Sequence, residues 1–181
     1  MGALVQMGQQ AVTRDTEQDE NQYLTFMLGG EMYAIAILNI KEIIEFGSLT
    51  TVPMMPAFIR GVINLRGSVV PVVDLSARFG KQGTSITRRT CIVIIEIRSE
   101  GELQDIGVMV DTVNEVLEIP SSEIEPAPAF GAKIRADFIQ GMGKINGKFV
   151  IILDVNHVLS IDEMAVLSQA DGEVEANATT R

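Results

Sequence analysis

Two stretches of this chain spell the same hairpin. Residues 58–75 read FIRGVINLRGSVVPVVDL and residues 138–155 read FIQGMGKINGKFVIILDV, with Phe, Ile, Gly, Gly, Val and Asp at the same six relative positions. A repeated supersecondary unit restricts the fold, because such a unit cannot bury its apolar face alone and packs against its twin. The repeat extends upstream at an offset of 73, where IKEIIE (40–45) sits on VNEVLE (113–118) and Pro53 on Pro126. The offset then grows to 80, because 127–137 replaces the four residues 54–57 with a longer loop.

The rest of the chain fits two strand-rich units. Leu24, Phe26 and Leu28 alternate with Tyr23, Thr25 and Met27, the period of a strand, and Gly29-Gly30 signals a hairpin returning over 31–37. Ile37, Ile40, Ile43 and Ile44 fall three and four apart, which predicts a short amphipathic helix or a helical turn ending at Gly47. Leu49 to Val52 is a candidate strand, and 56–58 a turn. In each hairpin copy the aspartate, Asp74 or Asp154, stands where it can cap a following helical segment. The polar stretch 81–89 marks a boundary; Cys91 to Ile97 and Ile106 to Val110 form the second leading hairpin. This predicts a mainly β chain of two tandem β-barrels, about 23–80 and about 90–155, with short helices and a groove between the barrels. A C-terminal helix over about 155–167 packs back, and 1–22 and 168–181 read as a disordered leader and tail.

Composition narrows the function. The net charge is -10 and no basic cluster exceeds Arg88-Arg89, which argues against nucleic acid or an anionic lipid surface. No apolar run is long enough to span a bilayer, residues 1–22 lack a secretory pattern, and the single cysteine permits no internal disulfide. A cytoplasmic protein is expected.

Candidate chemistry is sparse. The duplicated Asp74 and Asp154 invite comparison with two-lobed carboxylate enzymes, but a shared capping role explains the repetition better. His157 is the sole histidine, the acidic residues lack coordinating spacing, and no glycine-rich phosphate loop is present, so neither a metal nor a cofactor is expected. Cys91 lies in an apolar run and reads as a packed thiol.

The difference between the copies is more informative. Asn146-Gly147 is a preferred type I′ turn pair, whereas the first copy carries Arg66-Gly67. Arginine fits that turn worse by about 1 kcal/mol, so its side chain is the reason for it, and Glu42 or a partner protein are its candidate partners. An ordinary exposed turn arginine is the competing explanation. Asn64 is likewise polar among aliphatics. The apolar stripe over 37–44 and its twin, Val110, Val113, Val116 and Leu117, reads mainly as core, with a groove for a partner helix as the alternative.

NLRGSVVPVVDL at 64–75, preceded by PAFIRGVI, strongly resembles the signature of the CheW family of chemotaxis coupling proteins, and the likeness runs from about Tyr23 to Leu159. The resemblance implies two SH3-like five-stranded β-barrel subdomains around a shared hydrophobic region, no enzymatic activity and no cofactor. It implies an adaptor linking the cytoplasmic tips of chemoreceptors to the regulatory domain of the histidine kinase CheA, and so recruited to membrane-associated arrays, where other copies are further partners. A CheW-like adaptor of a non-flagellar chemosensory pathway is the alternative. By position, Glu42, Asn64, Arg66 and Gly67 carry the coupling signature, and Pro71, Asp74 and Leu75 complete the motif. The resemblance places receptor binding in the inter-barrel groove, lined here by Ile37, Ile40, Ile44, Val110 and Val113.

Overall fold

The computed structural model describes residues 21–127, 134–160 and 163. Residues 1–20 of the expected leader, the tail, and 161–162 and 164–167 of the helix expected over 155–167 lie outside them. Eleven strands follow in chain order: β1 (Gln22–Leu28), β2 (Glu31–Ala36), β3 (Ile40–Glu45), β4 (Ile59–Leu65), β5 (Ser68–Asp74), β6 (Cys91–Ser99), β7 (Glu102–Val110), β8 (Thr112–Glu118), β9 (Ile124–Glu125), β10 (Ile139–Ile145) and β11 (Lys148–Leu153). Two one-turn helices, α1 (Leu75–Arg78) and α2 (Val155–Val158), close the two copies of the repeat. The fold is mainly β, as the sequence predicts, and its two sheets are compatible with the SH3-like subdomains that the resemblance implies.

The halves do not fold in chain order. Among the described residues one sheet runs β8-β1-β2-β11-β10-β9 and the other β3-β6-β7-β5-β4. Each half therefore gives its leading hairpin to the other, and the partition into 23–80 and 90–155 does not describe the sheets. The exchange is symmetric. The parallel contacts Val72↔Gly107 and Ile152↔Ala34 are one contact related by the offsets of 80 and 73. Ile43↔Val93 and Leu24↔Val116 are likewise equivalent, and each lies beside the same register shift. A hairpin that matches its own half matches the other half equally well when the halves share one pattern, so periodicity could not reveal the exchange.

Of the helix or helical turn expected over 37–44, only the start is helical. A single 3₁₀ turn covers Ile37–Asn39, and Ile40–Glu45 is strand β3. Its twin at 113–118 lies within β8. β-branched residues favour a strand, and β6 offers β3 a ladder partner. The shift between Ile40 and Glu42 explains the misreading, since a bulge inserts one residue into period two and imitates helical spacing. Leu49 to Val52 contributes only a bridge, Thr50↔Val62.

That bridge explains one duplicated glycine. A Cβ on Gly61 would lie 2.4 Å from the Thr50 carbonyl oxygen, and one on Gly141 would lie 2.6 Å from Ile124 Cγ2, so both copies need the bare backbone for the same crossing. Gly61→Ala should push Thr50 away and destabilise by about 1–3 kcal/mol, with loss of hydrogen-exchange protection at the Val62 amide as the measurement. The aspartates behave as expected. Asp74 Oδ1 accepts from the Ala77 amide and Asp154 Oδ1 from the His157 amide, each at 3.3 Å.

The central core draws on both halves: Phe26, Ile35, Val73, Val93, Phe138 and Val158 belong to one continuous cluster between the sheets. Burial of that shared cluster couples the halves into one unit.

Candidate functional site

Arg66 sits at φ 53 and Asn146 at φ 49, each followed by a glycine of positive φ, so both hairpins turn the same way. Asn is at ease there and arginine is not. The arginine has a use for its side chain. Its Nη2 donates to Glu42 Oε2 at 2.6 Å, from a turn between β4 and β5 across to β3. The arginine side chain is 78% exposed and the glutamate 24%, so the pair is a surface feature that adds little stability. Asn64 serves the same turn from beneath, its Oδ1 accepting the Gly67 amide at 2.9 Å.

Beside this pair lies a second ionic contact. Lys41 Nζ is 3.0 Å from both Glu96 and Asp105, tying β3 to β6 and β7, and the Asp105 hydrogen bond raises the ammonium's pKa. Pro71 pairs with Val62 of β4, and the parallel ladder to β7 begins only at Val72. In the other copy Ile151 occupies that place and already pairs with Tyr33. A proline has no N–H to give, so the ladder starts one residue later.

The proposed groove residues separate. Ile40 pairs with Ile95 and Val113 with Phe26, equivalent positions at which both side chains pack, half-buried, against the central core. Ile44 turns instead to the cluster of Val70, Ile92 and Met109 within the other sheet. Ile37 is half-buried in its 3₁₀ turn. Val110 has no exposure at all, so it can support such a groove but cannot touch an occupant. The apolar side chains that do reach solvent nearby are Leu38 at 61% and Ile43 at 43%.

The remaining candidates resolve as structure. Asp74 is fully buried, and its Oδ2 accepts from the Thr84 amide at 2.9 Å and from Arg60 Nη1 at 3.4 Å. Leu75, which follows it, is core. His157 Nδ1 lies 2.8 Å from Asp154 Oδ2, at the surface. Burial raises the Cys91 thiol pKa, which keeps it protonated.

Sequence reasoning missed Arg78. Its side chain is 4% exposed, and its guanidinium lies between Phe58 and Phe138, 5.1 and 4.7 Å from the ring centroids. Those two rings open the two copies of the repeat. Nε donates at 2.9 Å to the carbonyl of Val158, the residue equivalent to Arg78 itself, and Nη2 lies 3.2 Å from Glu163. Arg135 also lies over Phe138, its guanidinium carbon 4.5 Å from the ring centroid, and pairs with Asp137 and Glu163. Hydrogen bonds from Arg135 hold the Asp137 and Glu163 carboxyls below their ordinary pKa. The signal for it in the sequence is a cation facing valine in the repeat.

These contacts define a two-sheet β module with a polar signature on one sheet and an apolar seam, the equipment of a protein-binding module. Residues 22–163 match the model of the CheW-like domain. The chain is 34% identical over 146 residues to the chemotaxis protein CheW of Klebsiella aerogenes, covering 81% of this chain and 86% of that one. It is 37% identical over 149 residues to CheW of Bacillus subtilis, covering 81% and 93%. The crystal structure of the scaffolding protein TtCheW from Thermoanaerobacter tengcongensis superposes with a TM-score of 0.70 at 35% identity, covering 77% of this chain and 87% of that one. The chain belongs to the CheW family of chemotaxis scaffold proteins. No helix among the described residues is long and apolar enough to cross a membrane.

Proposed function

We propose that this protein works without catalysis, bridging the cytoplasmic tips of chemoreceptors to the histidine kinase CheA at membrane-associated arrays, and that the Arg66–Glu42 pair is part of the coupling surface. The family match over 22–163 carries the adaptor reading. The pair itself supports its own role: a residue strained in its turn reaches across to another strand, yet stays 78% exposed and contributes little to stability. A planar guanidinium held in one orientation by a carboxylate is suited to recognising a protein partner. The receptor tip occupies the seam flanked by Ile37, Ile40 and Val113, with Val110 beneath it.

Arg66→Ala tests the role of the pair. Receptor control of kinase phosphorylation should fall severalfold while stability changes by no more than about 1 kcal/mol. Unfolding of the variant, with normal coupling at low temperature, would make the arginine structural instead.

A further inference from the structure

The two halves are joined by one covalent crossing. Residues 21–80 supply β1 to β5 and α1, residues 91–160 supply β6 to β11 and α2, and the connector 81–90 lies between them. The other ties are non-covalent: the ladders β3–β6, β5–β7, β1–β8 and β2–β11, the central cluster, and the bond from Arg78 to the Val158 carbonyl. The connector itself is divided. Its first part is bonded to the first half: the Lys81 amide donates to the Ser76 carbonyl at 3.0 Å, Ser76 Oγ to the Gln82 carbonyl at 2.7 Å, and the Thr84 amide to Asp74. Its last part is bonded to itself, the Thr87 amide donating to Thr90 Oγ1 at 2.8 Å and the Arg89 amide to Thr87 Oγ1 at 3.1 Å. Among the described residues a single hydrogen bond links the two parts, from Thr90 Oγ1 to the Ser85 carbonyl, at 3.5 Å. Ser85 and Ile86 are exposed at this point.

We propose that two copies of this chain exchange halves at Ser85–Ile86, giving a reciprocal dimer in which the first half of each chain folds with the second half of the other. Each module of that dimer keeps the ladders, the central cluster and the Arg78 contacts. What opens is the long bond between Thr90 and Ser85. An exchange that repeats the native contacts is a low-cost route to a dimer. It opposes only the entropy of association, so the dimer's share rises with concentration. Separating the halves would expose the central cluster, so the exchange takes place during folding, and monomer and dimer interconvert only through unfolding. The exchange also reaches the candidate site. Ile37 and Ile40 come from the first half and Val110 and Val113 from the second, so each seam of the dimer is built by two chains. The contacts of Lys41 with Glu96 and Asp105 likewise cross from one chain to the other. The exchange rests on the topology and does not depend on the adaptor reading.

The test uses two full-length chains, each disabled in one half. One carries Leu24→Asp with Val73→Asp, the other Val93→Asp with Leu153→Asp, so each puts two charges into the central cluster and should not fold alone. Exchange pairs the sound first half of the second chain with the sound second half of the first. Unfolded in urea, mixed and diluted together, the two should form a 1:1 complex by light scattering, with a cooperative unfolding transition that neither shows alone. The unmutated chain, refolded at about 1 mM, should yield a dimer that survives dilution, and at about 1 µM a monomer. A dimer joined only through its surfaces would fall apart on dilution and would rescue nothing. A mixture no more folded than its separate components, or an unmutated chain that gives the same monomer at both concentrations, would overturn the proposal.

Discussion

Arg78→Ala is expected to destabilise the protein by about 3–5 kcal/mol, the largest effect of any single substitution discussed. Three losses combine. The guanidinium leaves the space between Phe58 and Phe138, where its contact with both rings is shielded from water. The Val158 carbonyl loses a charge-assisted donor. Glu163 loses one of its two cations. Arg78 binds the two copies of the repeat where they meet, so its loss weakens both together. Arg78→Lys keeps the charge but not the planar fork that stacks on the rings and donates from Nε, and should recover less than half of the loss. The measurement is urea unfolding at constant m. A loss below about 1 kcal/mol would show that the rings repack without the cation.

The second large effect separates two residues that the sequence makes twins. Asp74→Ala should cost about 2–4 kcal/mol, because it removes a helix cap and leaves the buried Thr84 amide without its acceptor. Asp154→Ala should cost about 0.5–2 kcal/mol, the value of a cap alone, since its remaining contact is with surface His157. Denaturation of both variants reads the difference directly. Equal losses would mean that Arg60 and Thr84 contribute nothing at Asp74. A hydrolytic activity abolished by Asp74→Asn with Asp154→Asn, in a protein still folded, would revive the carboxylate reading that capping displaces.

Much of this architecture was legible because the repeat is written in backbone requirements. The glycines at 61 and 141 mark the same close crossing, and the aspartates at 74 and 154 cap the same helical turn. The Arg66–Glu42 contact was legible for the opposite reason, since arginine breaks a rule that Asn146 obeys. Three things were hidden. The exchange of leading hairpins uses the same alternation as folding within each half, and a bulge at Ile40 gave a strand the spacing of a helix. Arg78 was hidden because a one-turn helix shows no periodicity, and only the packed fold puts Phe58 and Phe138 on either side of its last residue.

The proposed coupling of receptor to kinase can be measured directly. The direct measurement is phosphate incorporation into the histidine kinase of the same organism, with receptor-containing membranes present, with and without this protein, alongside co-sedimentation of all three. Receptor control of the kinase should appear only when the protein is added, and the protein should sediment with the complex. Purified protein that binds neither receptor nor kinase at micromolar concentration, and leaves phosphate incorporation unchanged, would contradict the account.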